Sequence, residues 1–130
     1  MVSNRVTGII LSLKYYMSKR SPELLLNDIL DCAQTIMEFT LEYDYQQFLS
    51  DRKTRDAVVR NFEIIGEAAN RLPENIKNGF PEVLWFKIRG FRNRLVYEYF
   101  GIDYQIVWDT RNELLPDLVS IIKYRLSITE

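Results

Sequence analysis

Along residues 22–42, Leu26, Ile29, Leu30, Ala33, Ile36, Met37 and Thr40 recur at helical spacing and form one stripe. The same period returns between about Thr54 and Leu72, where Val58, Phe62, Ile65, Ala69 and Leu72 share a face. No stretch shows the alternation of a half-buried strand. Two more helices are predicted, over residues 82–100 and 103–126, with short helical turns around residues 45–49 and 74–77. Helices joined by short links argue for an all-α, antiparallel bundle of four to five helices.

Local signals punctuate these elements. Ser21 is a suitable N-cap, and Pro22 suits a first helical position. Asp103 is a good N-cap for the last helix, and Gly101 ends the one before it. Pro116 is expected to kink the last helix or split it in two. Gly66 interrupts a helical run at a cost of about 1 kcal/mol against alanine. Close packing against a neighbouring helix explains a glycine there.

The chain has 130 residues, enough for one domain with its own core. Residues 17–130 are read as that domain and residues 1–16 as an N-terminal extension, since Met17 opens a polar stretch suited to a start. The apolar run Gly8-Ile9-Ile10-Leu11 is too short to span a membrane. A formal net charge of −1 excludes a generally basic nucleic-acid binder and restricts any polyanion site to a local patch. The lone Cys32 lies in an apolar helical pattern and reads as an inert buried thiol in a reducing cytoplasm. There is no histidine, which removes Ser-His and Cys-His catalysis and histidine as a general base.

One segment departs from this plain composition. Lys87, Arg89, Arg92 and Arg94 crowd into about two turns with Phe86, Phe91, Tyr97 and Tyr99 interleaved. Arginine binds phosphate through a planar fork and aromatics stack on bases, so RNA is a reasonable ligand. The alternative is a solvated face, with Arg94 and Glu98 paired four residues apart. On a helix, Arg92 and Tyr97 stand about 140° apart, so they converge on one ligand only at a helix end or across a symmetric dimer.

Glu63 and Glu67, four apart, have a spacing that suits a metal but lack a third ligand in sequence. Pairing with Arg60 and Arg71, or solvent exposure, is the expected state. No metal or cofactor is expected. Asp28 and Asp31 read as surface charges, and Trp85 and Trp108 as core or interface residues.

The run from Arg92 through Asn93, Tyr97 and Tyr99 to Asp103 resembles the signature of HepT-like proteins in the HEPN superfamily: Arg, four residues, His, any residue, Tyr. Similar residues recur at 26–29, 56–59, 60–69, 81–85, 107–108 and 115–116, so the likeness covers roughly residues 23–127. The resemblance implies a dimerising helical bundle whose two signature segments face each other. It also implies a metal-independent RNase, the toxin of a toxin–antitoxin pair, silenced when an MntA-type nucleotidyltransferase attaches AMP to the signature tyrosine. Carried onto this chain, Arg92 stabilises phosphate charge, Asn93 orients the site, and Tyr99 accepts AMP. Lys87, Arg89 and Arg94 are left to bind RNA.

Tyr97 stands where the family has histidine. A phenol with a free pKa of about 10 is a poor base at neutral pH, where imidazole at about 6.5 is a good one. Two functions therefore stay open: an RNase toxin weakened at Tyr97, and an inactive HEPN dimer that binds RNA or the nucleotidyltransferase. A generic helical interaction module is the third.

Overall fold

Ser21 starts the first helix as its sequence suggests. Its side chain accepts a hydrogen bond from the Leu24 N–H, and Pro22 opens α1 (Pro22–Phe39). The computed structural model describes residues 20–97 and 101–128, without the side chains of Val96 and Tyr97. The proposed extension at residues 1–16, the expected AMP acceptor Tyr99 and the expected Arg94 partner Glu98 lie outside the described residues. The remaining elements are α2 (Tyr45–Ser50), α3 (Arg52–Arg71), α4 (Glu74–Lys77), α5 (Trp85–Tyr97) and α6 (Tyr104–Ile128). They make an all-α bundle in which α1 packs on α3 and α6, and α3 packs on α5.

The caps explain where several boundaries moved. α1 ends at Phe39 rather than residue 42, because Thr40 caps it and Glu42 turns the chain with a φ of 63°. α3 begins two residues earlier than Thr54, since the Asp51 carboxylate accepts from both the Thr54 N–H and its hydroxyl. α5 begins at Trp85 rather than residue 82, after a turn in which the Val83 N–H donates to the Phe80 carbonyl. The Asp103 carboxylate accepts from the Gln105 and Ile106 N–H groups at the start of α6, as its N-cap reading requires.

Of the kink or split expected at Pro116, the split does not occur: α6 is one helix through it. Pro116 is exposed while its neighbours Leu115 and Leu118 are buried. The carbonyl that loses its helical partner therefore faces water, and core contacts on the opposite side hold the helix together.

Both sequence stripes are the core. Leu26, Ile29, Leu30, Ala33 and Ile36 of α1 meet Val58, Phe62, Ile65 and Ala69 of α3. Each fully buried aliphatic or aromatic side chain contributes roughly 1.5–3 kcal/mol. Trp108 completes the core by stacking on Phe48 at 5.1 Å. Trp85 is half-buried, packs edge-on against Phe80 and donates its indole N–H to the Lys77 carbonyl. Among the described residues, no helix is long and apolar enough to cross a membrane.

Candidate functional site

The close approach of α3 and α5 builds the site. Gly66 is the reason they come so near: a Cβ there would overlap Cβ and Cγ of Arg92. Next to it, Phe62 and Phe91 meet edge to face at 4.9 Å. Arg92 is thus pressed against α3 at its root, and its guanidinium reaches along that helix to Glu67.

Arg92 Nη2 donates to Glu67 Oε2 at 2.6 Å, a short charge-assisted bond. The Glu67 side chain is 5% exposed and that of Arg92 11%. Arg92 Nη1 donates to Asn93 Oδ1 at 3.1 Å. The second carboxylate oxygen of Glu67 is ion-paired with Arg71 at 3.3 Å but accepts no hydrogen bond. Two arginines share one carboxylate, so this trio carries one net positive charge in a partly desolvated place. Such an arrangement suits an anion.

Glu63 lies one turn from Glu67 along α3. It is half-buried, and its only ion pair among the described residues is to Arg60 at 3.8 Å. Burial pushes its carboxyl above the usual carboxylate range, against the opposing pull of Arg60 and then Arg92. Pairing of Glu63 with Arg60 and of Glu67 with Arg71 agrees with the sequence reading. Full exposure does not, because Glu67 is buried. Among the described residues, no group of three acidic, histidine or cysteine side chains is placed to hold a metal ion.

The basic residues of α5 do not share one face. Arg92 points into the α3 contact. Lys87 and Arg94 are exposed and line a groove with Phe91, Ile106 and Glu113, between α5 and α6. Arg89 lines another groove, about 400 Å³, with Asn70, Lys77, Trp85 and Phe86. Asn93 joins Arg92 directly, while the Tyr97 side chain and all of Tyr99 fall outside the described residues.

Away from the site, the Cys32 thiol is pushed up to about 11 by burial and by Asp28 and Asp31. It is not a nucleophile at neutral pH. Asp28 is not a free surface charge; Arg20 pairs with it at 2.7 Å.

Sequence reasoning missed Glu67 as the partner of Arg92. The available signal was a carboxylate set within the run of buried residues from Ile65 to Ala69, directly after a helix-interior glycine.

The sequence model of the family described as Ribonuclease HepT-like matches residues 29–125. A Thermococcus cleftensis protein named "Probable ribonuclease HepT" is 41% identical over 100 residues, covering 77% of this chain and 91% of that one. A Methanocaldococcus jannaschii protein, named as a candidate RNase, is 40% identical over 101 residues, covering 78% and 84%. Another such protein from Caldanaerobacter subterraneus is 34% identical over 104 residues, covering 80% and 93%. No solved structure matches. The match runs through α3, Gly66, Glu67, α5 and Arg92, and the chain belongs to the HepT-like ribonuclease family.

Proposed function

We propose that this protein is a HepT-type ribonuclease, the toxin of a toxin–antitoxin pair, with Arg92 as its phosphate-binding residue. The observation that carries this reading is the Arg92–Glu67–Arg71 cluster, which fixes a guanidinium in a net-positive, partly desolvated setting. The RNase names of relatives support RNA as the substrate. Asn93 holds Arg92 from the other side, and Lys87, Arg89 and Arg94 engage more distant phosphates from the rims of two grooves. The active form is a homodimer, in which the signature segments of two copies face one ligand. Tyr99 is the AMP acceptor through which an MntA-type nucleotidyltransferase silences the protein.

A specific observation favours a second reading. The chain has no histidine, and the resemblance puts Tyr97 where the signature has one. General acid–base groups contribute about 10²–10⁴-fold in rate. An RNA-binding dimer without turnover is the form the protein takes if nothing else moves the proton.

RNA cleavage under chelating conditions separates the two. The RNase reading expects slow cleavage by wild type, faster cleavage by Tyr97→His and none by Arg92→Ala. RNA bound but never cleaved by wild type establishes the second reading. RNA neither bound nor cleaved refutes the RNase and the RNA-binding dimer alike, and leaves a dimer that binds the nucleotidyltransferase. Mass spectrometry after incubation with a cognate nucleotidyltransferase and ATP should find AMP on Tyr99; an unmodified Tyr99 removes the acceptor role.

A further inference from the structure

A chain without histidine still needs a group to move a proton if it is to cleave RNA at a useful rate, and α3 carries a second carboxylate one turn from the Arg92 partner Glu67. We propose that Glu63 is the proton-transferring residue of this site, acting on RNA held by Arg92. The inference rests on the RNase reading above and names the residue that makes such turnover possible.

The geometry begins with how α3 and α5 run past each other. Ala69 and Asn70 share a groove with Trp85 and Phe86, whereas Glu67 meets Arg92 and Phe62 meets Phe91. Moving toward the N-terminus of α3 therefore leads toward the C-terminus of α5. Glu63, one turn before Glu67, lies on the side of Arg92 toward which the signature continues. The two carboxylates divide into different states. Glu67 is 5% exposed and committed to Arg92 and Arg71. The Glu63 side chain is 28% exposed, and among the described residues its one ion pair is the long contact to Arg60 at 3.8 Å. It therefore keeps oxygen lone pairs that a ligand can reach.

Charge distribution fits the same role. Among the described residues, the charged groups acting on Glu63 are Arg60 on its own helix and Arg92 from α5. Glu67 stands one turn away, neutralised by its two arginines. From α1, Asp28 and Asp31 act on Cys32, as does Arg60. Glu63 lies three and four residues before Gly66 and Glu67, on the face of α3 that meets Arg92, and is not ion-paired to Arg92. One ligand can therefore use both groups, the guanidinium for a phosphate oxygen and the carboxylate for a neighbouring hydroxyl. Burial moves this carboxyl in the direction that makes it a better base near neutral pH.

The step balances without a cofactor. The Glu63 carboxylate takes the proton of the ribose 2′-hydroxyl. The 2′-oxygen bonds to phosphorus while the bond from phosphorus to the 5′-oxygen breaks. The departing 5′-oxygen takes up the proton held by Glu63, directly or through a water molecule that Glu63 reprotonates, so the carboxylate is restored. The products are a 2′,3′-cyclic phosphate and a 5′-hydroxyl. Arg92 offsets the charge that builds on the non-bridging oxygens.

The test compares wild type, Glu63→Gln, Glu63→Asp and the double variant Glu63→Gln/Tyr97→His on a single-stranded RNA oligonucleotide with chelator. Rates are followed from weakly acidic to weakly basic pH, and RNA binding is measured beside them. Wild type should gain rate as pH rises through the Glu63 titration. Glu63→Gln should lose about 10²–10⁴-fold in kcat and that pH limb while still binding RNA. Glu63→Asp should keep the limb and part of the rate, and the double variant should recover rate through its new imidazole. A Glu63→Gln protein with the wild-type rate and profile overturns the assignment and leaves the RNase reading standing. Joint loss of binding and cleavage in Glu63→Gln overturns it too, as a structural effect. Wild type inert toward RNA overturns the RNase reading and this inference together.

Discussion

Arg92 and Arg111 are both partly withdrawn from water, and the molecule holds them by different means. Arg92 is pinned by a buried carboxylate at 2.6 Å, beside a glycine that lets its root touch the next helix. Among the described residues, Arg111 meets only neutral groups: its Nε donates to Thr40 Oγ1 at 2.9 Å, its Nη1 donates to Asn112, and its guanidinium covers the Trp108 ring at 5.1 Å. Burial holds the Arg111 pKa below the ordinary arginine value, and no carboxylate among the described residues opposes it. Dipoles and a ring face are enough for a brace that ties α6 to α1. A carboxylate shared with a second arginine fixes a cation's position while leaving the cluster positive, which is the more useful state for meeting a phosphate.

The sharpest way to break this contrast is Glu67→Ala. Removing one partner of a buried pair typically costs about 3–5 kcal/mol, because the other charge is left uncompensated. Urea unfolding should show a loss of that order, together with weaker RNA binding. A loss below about 1 kcal/mol, the range of an exposed pair, would mean that Arg92 is not held by Glu67. Gly66→Ala comes next. Alanine gains about 1 kcal/mol of helix propensity. Overpacking against Arg92 costs about 1–3 kcal/mol. The obstructing atoms are Cβ and Cγ, near the backbone, so they cannot swing aside and the clash should win. A more stable Gly66→Ala protein would refute the close approach.

These two positions also show what a sequence can and cannot disclose. Gly66 was legible because a glycine within a helical stripe is a local anomaly with few causes. Ser21 and Pro22, the apolar stripes and the turn at Glu74–Lys77 were legible for the same reason: their signals lie within a few residues. The Arg92–Glu67 bond joins residues 25 apart, and Arg111–Thr40 joins residues 71 apart. No periodicity specifies such pairs, because they depend on how helices dock. The split expected at Pro116 fails for a related reason. The proline's effect depends on which side of α6 meets the core, and it lies on the exposed side. The basic run of α5 was visible as composition, but its division between two grooves and one buried contact required the helix in place.

Replacing Arg111 sharpens the other half of the comparison. Arg111→Met removes the bond to Thr40 and the cover over Trp108, while Thr40 keeps its own donation to the Ile36 carbonyl at 2.7 Å. The expected loss is about 1–2 kcal/mol by thermal or urea unfolding. Arg111→Lys should lose nearly as much, since a point charge reproduces neither the planar donor nor the stacking. RNA affinity should stay at the wild-type level in both. A marked fall in affinity at unchanged stability would place Arg111 in the RNA site and erase the distinction drawn from its neutral partners.

The smallest expected effect concerns the sign of a carboxylate's contribution. Asp51 is held below the ordinary range, chiefly by the Thr54 hydroxyl and then by the Tyr43 hydroxyl. Its stabilisation is present above the unfolded-state pKa and fades as pH falls through the folded value. Glu63 is held above the ordinary range by burial, so the sign reverses. The folded state binds its proton more tightly than the unfolded state does. Ionised Glu63 therefore costs stability at neutral pH, and the cost disappears as pH falls through the window between the two values. Glu63→Gln removes the charge but keeps the shape. It should unfold at slightly higher urea than wild type at neutral pH, and the two should converge in acid. The attraction of Arg60 and Arg92 is already included in that direction, since both pull against burial and lose to it. A Glu63→Gln protein less stable than wild type at neutral pH would mean that the Arg60 pair outweighs burial. Glu63 would then be a surface partner of Arg60, as the sequence alone suggests, and the asymmetry between the two carboxylates of α3 would collapse.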